Sequence, residues 1–347
     1  MPDRGTAPAG GNNRPSGGLS FRRSPGHYLS LLPDLTSPVL PSFRRLGRDQ
    51  THFVFDASIE PAIMVALGES IWVETQDAHS GTITGPEVVY ETLYQVLDTI
   101  GGANPVTGPI FIEGIKAGDC VTVEIQHVEG APVTGFGYMT TTPTLHPSLK
   151  AESVICPRTD SGDVAIPTAQ GPISVPYRPF IGTLGLAPAG EPIPSFQQSP
   201  RILGNVDLPE ITAGAPVVLR AEVDGGLISL GDAHLSQGDA EIHRSAIECQ
   251  ADVRLRFGRA TPDQAGYYGL PQVNTASELG SIAPGPGHLE DLVRAAYDDL
   301  SLRLCHTGRF SRAEAYRLLG AVGTVRIGQV VPPVYSALAK IERRYLG

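Results

Sequence analysis

Apolar positions recur along this chain in short runs, and the polar residues between them set the period. Residues 120–125 alternate strictly, Val121, Val123 and Ile125 against Thr122 and Glu124, the signature of a half-buried strand. Shorter runs predict further strands at 52–56, 70–75, 107–114, 164–166, 173–175, 179–188, 216–223, 227–231, 253–257 and 325–331. The runs 107–114 and 120–125, joined by a Gly- and Asp-containing turn, predict a β-hairpin. Helical spacing enters only late. Residues 289–305 carry apolar positions mostly three or four apart. Ser311 and Glu314 form a capping-box pattern that opens a second helix through Leu319, and residues 334–346 predict a short amphipathic helix. The expected fold is mainly β with α elements (α+β), a β-sandwich or barrel-like body with C-terminal helices.

Composition agrees with many turns. The 347 residues include 40 Gly and 31 Pro, and no apolar run approaches the roughly 20 residues a membrane-spanning helix needs. Residues 1–50 differ from the rest: seven Arg, three Asp, no Lys and no Glu make them formally +4, against −14 for the remainder of a chain whose net charge is −10. They are expected to be an N-terminal extension, disordered over residues 1–18, with 28–32 and 39–40 packing on the body or a neighbouring subunit. Residues 51–347 are expected to form the main domain, with a subdivision near 130–200. The acidic balance argues against nucleic acid as a partner. Four Cys without CxxC spacing read as isolated thiols of a cytoplasmic protein, and no secretory h-region is visible.

The chemistry concentrates between Gly225 and His243. Asp232, His234, Gln237, Asp239, Glu241 and His243 fall within twelve positions, directly after an apolar run. If the strand ending at His234 and the one resuming at Asp239 pair as a hairpin around the four-residue loop 235–238, Asp232, His234, Asp239, Glu241 and His243 share one face. Three carboxylates on one face repel unless they are solvated, share a proton or surround a cation. A solvated hairpin tip and a metal or acid–base site both fit this spacing. Elsewhere, Asp77 and His79 stand at a strand end, and Asn205 and Asp207 in a turn. The Gly-containing run around Gly182 lacks the context of a phosphate loop and reads as backbone packed close to a ligand.

Several colinear pieces resemble the acetamidase/formamidase family: residues 58–62, 74–78, 107–119, 179–183, 204–207, 231–239, 245–248 and 314–319. The resemblance covers about residues 51–331. It implies hydrolysis of short linear amides to ammonia and a carboxylate, a largely β fold and a homo-oligomer. It also implies a polar pocket built from Asp77, Asn205, Asp207, Asp232, His234 and Gln237, with Glu113 nearby. The expectation drawn from this is metal-assisted hydrolysis. Asp207, Asp232 and His234 hold a divalent metal, zinc first and calcium or manganese as alternatives. Glu113 or Glu241 moves the proton, and Asn205 or Gln237 stabilises the oxyanion. Asp77 and Gly182 would contact a small amide substrate, with no nucleic acid or membrane as partner. A nucleophilic hydrolase using Cys156 or Cys249, and a non-catalytic binder of the same fold, are the alternatives. The chain departs from the family pattern at Leu203 and Ala240, where Gly is usual, at His243-Arg244, which replace a smaller pair, and at Thr324-Val325.

Overall fold

The computed structural model describes residues 43–142, 146, 148–331 and 334–347. The disorder expected over 1–18 and the packing expected of 28–32 and 39–40 lie outside them. Two large sheets dominate. One has nine strands, in the spatial order Arg44–Leu46, Ser70–Thr75, Ala251–Ala260, Cys120–Gly130, Pro216–Arg220, Gln272–Asn274, Glu278–Pro286, Val334–Glu342 and Thr324–Val331. The other has ten, and its centre is Leu203–Asn205, Phe180–Gly185, Ile228–His234 and Glu248–Cys249, with Val106–Ile112 also paired to Ile228–His234. Ile71, Val73, Val121, Val123, Leu255 and Phe257 of the first sheet share a buried core with Ile110, Ile181, Leu184, Ile228 and Leu230 of the second. This is a β-sandwich with its apolar faces turned inward.

The alternation read from the sequence is present at the outer strands. In Ser70–Thr75, Ile71, Val73 and Thr75 are buried and their neighbours are not. The two central strands Phe180–Gly185 and Ile228–His234 are buried at every position. One of their faces meets the core, and the other carries the polar cluster described below.

The helices Leu289–His306 and Arg312–Val322 form where expected, the second opened by the Ser311–Glu314 capping box. They pack through Ala296, Leu300, Leu304, Ala315 and Leu319 onto Ala283, Ala339 and Ile341 of the nine-stranded sheet. Among the described residues no helix is long and apolar enough to cross a membrane.

Two expectations need correction, and two features go beyond them. The strands Val106–Ile112 and Cys120–Gly130 do not pair; they lie in opposite sheets, and the turn between them passes from one sheet to the other. Residues 334–346 are a strand, Val334–Glu342, and a 3-10 turn, not a helix, because nine positions pair with Glu278–Pro286. The helix Leu93–Ile100 was not anticipated, although Thr92, Gln95 and Gly101 carry its start and stop signals. Within residues 1–50, Arg44–Leu46 pairs in parallel with Ile71–Val73, and Arg45 and Arg48 form ion pairs with Glu74 and Asp252.

Candidate active site

The expected hairpin after Gly225 exists with a different register. Ile228–His234 is followed by a long loop, and the returning strand is Glu248–Cys249, so His234 faces Glu248 and not Asp239. The loop folds back through a 3-10 turn at Asp239–Glu241, where Ala240 and Glu241 both take positive φ (72° and 41°). That reversal buries Glu241 and turns Asp239 outward, where it pairs with Arg326. His243 leaves the cluster as well, with Nε2 3.0 Å from Thr141 Oγ1. The common face thus keeps Asp232, His234 and Glu241 and gains Glu248, a residue that sequence spacing did not single out.

His234 is the centre. Its Nδ1 lies 3.0 Å from Gln237 Oε1, while Gln237 Nε2 donates to the carbonyls of Asp207 (2.8 Å) and Gly328 (3.1 Å). An amide whose nitrogen is committed to two carbonyls presents only its oxygen to the imidazole. His234 Nδ1 must therefore carry the hydrogen, and Nε2 is left to face Glu248 Oε2 at 3.0 Å and Asp232 Oδ1 at 3.5 Å. A bare imidazole lone pair against two carboxylates is repulsive. A proton or a cation has to lie between them. Burial works against the imidazolium, but the charges and hydrogen bonds of Glu248 and Asp232 win and hold the His234 pKa well above the usual histidine value. Glu248 Oε2 is buried, with His234 Nε2 as its close polar neighbour at 3.0 Å.

The other carboxylates are wedged around this group. Asp232 Oδ2 accepts from Asn104 Nδ2 (2.7 Å) and Thr183 Oγ1 (3.1 Å). Burial pushes Asp232 up, yet the hydrogen bond and charge of His234 outweigh it and keep its pKa low. Asp207 accepts from Gln329 Nε2 at 2.8 Å and is raised well above the carboxylate range, by burial first and then by Glu241 and Asp232. Asn205 fits its neighbours with the amide nitrogen turned inward, where Thr183 Oγ1, Asp232 Oδ2 and both oxygens of Asp207 stand at 3.0–3.1 Å to accept its two hydrogens. Burial, reinforced by neighbouring carboxylates, lifts Glu241 to about 8 and Glu248 to about 7.

Two sets of ligand atoms, Asp207/His234/Glu241 and Asp232/His234/Glu248, each lie within 4.8 Å of one another. Nitrogen and carboxylate donors of this kind suit zinc or manganese. A buried Glu248 oxygen facing His234 Nε2 and a fixed His234 tautomer are what a divalent cation requires of its ligands.

The cluster opens onto a cavity of about 480 Å³ whose wall includes His79, Asn205, Glu241, Glu248 and Gln329. Asp207, Asp232 and His234 are more deeply buried. His79 enters through a relay. Asp77 Oδ1 accepts from Tyr138 OH (2.8 Å), and Tyr138 OH lies 2.9 Å from His79 Nδ1. Since the phenol gives its hydrogen to Asp77, it accepts from Nδ1–H, and His79 Nε2 is left free to accept.

Of the residues expected in the site, Asp207, Asp232, His234, Asn205 and Glu241 converge. Gly182 lies between the carboxylates: a β-carbon there would meet Asp207 Oδ1 at 2.5 Å and the Asp232 carbonyl at 2.7 Å. It makes room for the cluster and does not line the cavity. Gln237 anchors His234 and has no hydrogen left for an oxyanion. Asp77 is buried behind Tyr138 and His79. Glu113 is exposed in the turn after Val106–Ile112, at the far end of that strand from Val106, which pairs beside Gly231. Glu248 and His79 were the residues missing from the expected set. A strand partner for His234 would have found the first, and the strand-end position of Asp77-Ala78-His79 marked the second.

The sequence model of the acetamidase/formamidase family matches residues 44–201 and 195–267. Three solved structures are similar over most of the chain. An acetamidase from Bacillus halodurans is 29% identical, covering 87% of this chain and 98% of its own with a TM-score of 0.78. A predicted acetamidase/formamidase from the thermophile Thermoanaerobacter tengcongensis is also 29% identical (87% and 96%, TM-score 0.77). An acetamidase from Yersinia enterocolitica is 28% identical (88% and 94%, TM-score 0.78). No curated protein sequence matches.

Proposed function

The chain belongs to the acetamidase/formamidase family, and from that premise we propose that it hydrolyses primary carboxamides to ammonia and a carboxylate with a divalent metal, zinc first, held at His234. The observation that carries the reading is the His234 imidazole. Its tautomer is fixed by Gln237, and its free nitrogen is aimed at two buried carboxylates. His234, Asp232 and Glu248 would hold the ion. When bound, it would polarise the amide carbonyl and acidify a water.

The chain's own groups supply the remaining chemistry. Asp207 and Glu241, whose carboxylate oxygens lie within 4.8 Å of each other, share a proton, as paired carboxyls do. The ionised member takes a proton from the attacking water as the new C–O bond forms. The protonated member gives its proton to the amide nitrogen as the C–N bond breaks and ammonia leaves. Transfer between the two carboxyls restores the starting state. The Asn205 amide nitrogen, turned towards Asp207 and Asp232, holds these carboxylates in place beside the cavity. His79 Nε2 accepts an N–H of the substrate amide. In this reading Asp207, expected as a ligand, handles protons instead.

Buried thiols do not favour the nucleophilic alternative. Burial raises Cys156 to about 11 and Cys249 further, so neither supplies a thiolate at neutral pH. The test is ammonia release from formamide, acetamide and propionamide by the protein as isolated, after chelation, and after return of zinc, manganese or calcium. Loss on chelation and recovery with one metal is expected. Activity untouched by chelation sinks the metal, and no release from any amide favours a ligand-binding role. The homo-oligomer belongs to the same proposal and is checked by light scattering.

A further inference from the structure

We infer that the preferred substrate carries an acyl group larger than the one or two carbons of formamide and acetamide: an apolar chain or ring of about four to eight carbons on a primary amide. This rests on the amide reading above.

The cavity beside the cluster has two kinds of wall. His79, Asn205, Glu241, Glu248 and Gln329 bring the polar groups that an amide needs. Tyr90, Leu93, Val96, Phe196, Val331 and Val334 bring apolar surface to a wall that also carries Arg244, Thr140 and Ser245, and none of the six touches the carboxylate cluster through a hydrogen bond or ion pair. The volume, about 480 Å³, belongs to the class of roughly 300–1,000 Å³ that encloses ligands of many heavy atoms. Acetamide has four. Seated at the polar wall, it would leave most of the apolar wall facing water.

The apolar wall is also built in part from a helix that bonds to no member of the cluster. Leu93 and Val96 come from the helix Leu93–Ile100, held in place by the Thr92 cap and the left-handed Gly101. Val331 and Val334 stand at the facing ends of two C-terminal strands. Leu93 is half exposed at the rim, where an apolar side chain gains only if something apolar covers it. Tyr90 is fixed by its hydroxyl bond to Thr82 and stacks on His79, so the aromatic wall begins beside the nitrogen proposed to receive the amide. An acyl chain leading away from that point runs along the apolar residues.

Each methylene buried against such a wall contributes about 0.8 kcal/mol, or roughly fourfold in kcat/KM. The experiment is kcat/KM for acetamide, butanamide, hexanamide and phenylacetamide with the metal-loaded full-length protein. A rise on the order of 10²-fold from acetamide to hexanamide is expected. Leu93→Ser and Phe196→Ala should flatten the slope per methylene from about fourfold towards about twofold. A kcat/KM that is level or falls beyond acetamide overturns the inference. If no amide is turned over, the amide reading fails by itself, and ligand-detected NMR titrations of acetamide and hexanamide still decide the wall. Tighter hexanamide binding supports it, and equal or weaker binding overturns it.

Discussion

At the scale of single residues, the site is a problem in placing negative charge. Asp207 and Asp232 take positive φ (49° and 56°), and so does Glu241, a conformation that L-residues avoid at a cost of about 1–2 kcal/mol each. Three strained acids in one cluster mark a place where geometry is kept at the expense of stability. Gln237 carries much of that geometry, because it alone sets which His234 nitrogen is free. Gln237→Ala should lower zinc affinity about 10- to 100-fold, the usual effect of losing a group that orients a metal-bound histidine. Competition titration with a chromogenic chelator measures this, and unchanged affinity would remove Gln237 from the argument. The residue types were legible in the sequence, since Asp207, Asp232, His234, Asn205, Gln237 and Glu241 all lie in the cluster. Their roles were less so. Gln237 reads as an oxyanion donor until the two carbonyls that occupy its nitrogen are seen. Glu248 looks like any strand residue until its partner across the ladder is known.

At the scale of elements, local pattern predicted strands well and their partners poorly. A strand–turn–strand run is the same text whether the chain returns to its own sheet or crosses to the other, and residues 106–130 do the second. The Ala-rich run after Val334 has helical composition, but pairing on both sides makes it a strand. The decisive element is the loop from Leu235 to Ile247. Read as a four-residue turn, it placed five polar residues on one face. As a long loop it selects Glu241 and rejects Asp239 and His243. Its reversal needs a left-handed residue at 240, where the chain has Ala with φ 72°. Leu203, the other position where the family pattern has Gly, is left-handed too (φ 79°). Ala240→Gly relieves about 1–2 kcal/mol of strain and gives back about 0.4–1 through the freer unfolded chain. A net gain of about 0.5 kcal/mol or more is expected in urea denaturation. A loss would show that the loop is held by contacts of the Ala240 methyl.

At the scale of the molecule, the buried acids couple stability to pH. Glu241 and Glu248 have folded pKa values of about 8 and 7, above the 4.5 of an unperturbed glutamate, and His234 is raised above 6.5. Each binds its proton more tightly when folded. The stability they contribute is complete below pH about 4.5 for the glutamates and is lost as pH rises through the folded values. Asp232, lowered from 3.8, acts in the opposite sense only at more acid pH. Without metal, the melting temperature should therefore fall between pH 5 and 8, and saturating zinc should remove the fall. Thermal melts with chelator and with zinc measure both curves, and a metal-free melt independent of pH would contradict the electrostatics. The crossing of Val106–Ile112 and Cys120–Gly130 between sheets has a consequence for how the protein is made. Val106–Ile112 meets Thr51–His52 and Ile63–Val65 early but Ile228–His234 only about a hundred residues later, and Cys120–Gly130 waits as long for Pro216–Arg220 and Ala251–Ala260. A nascent chain stopped near residue 200 exposes open apolar strand edges of both sheets. Such a chain folds slowly and depends on chaperones until the last partner strand leaves the ribosome.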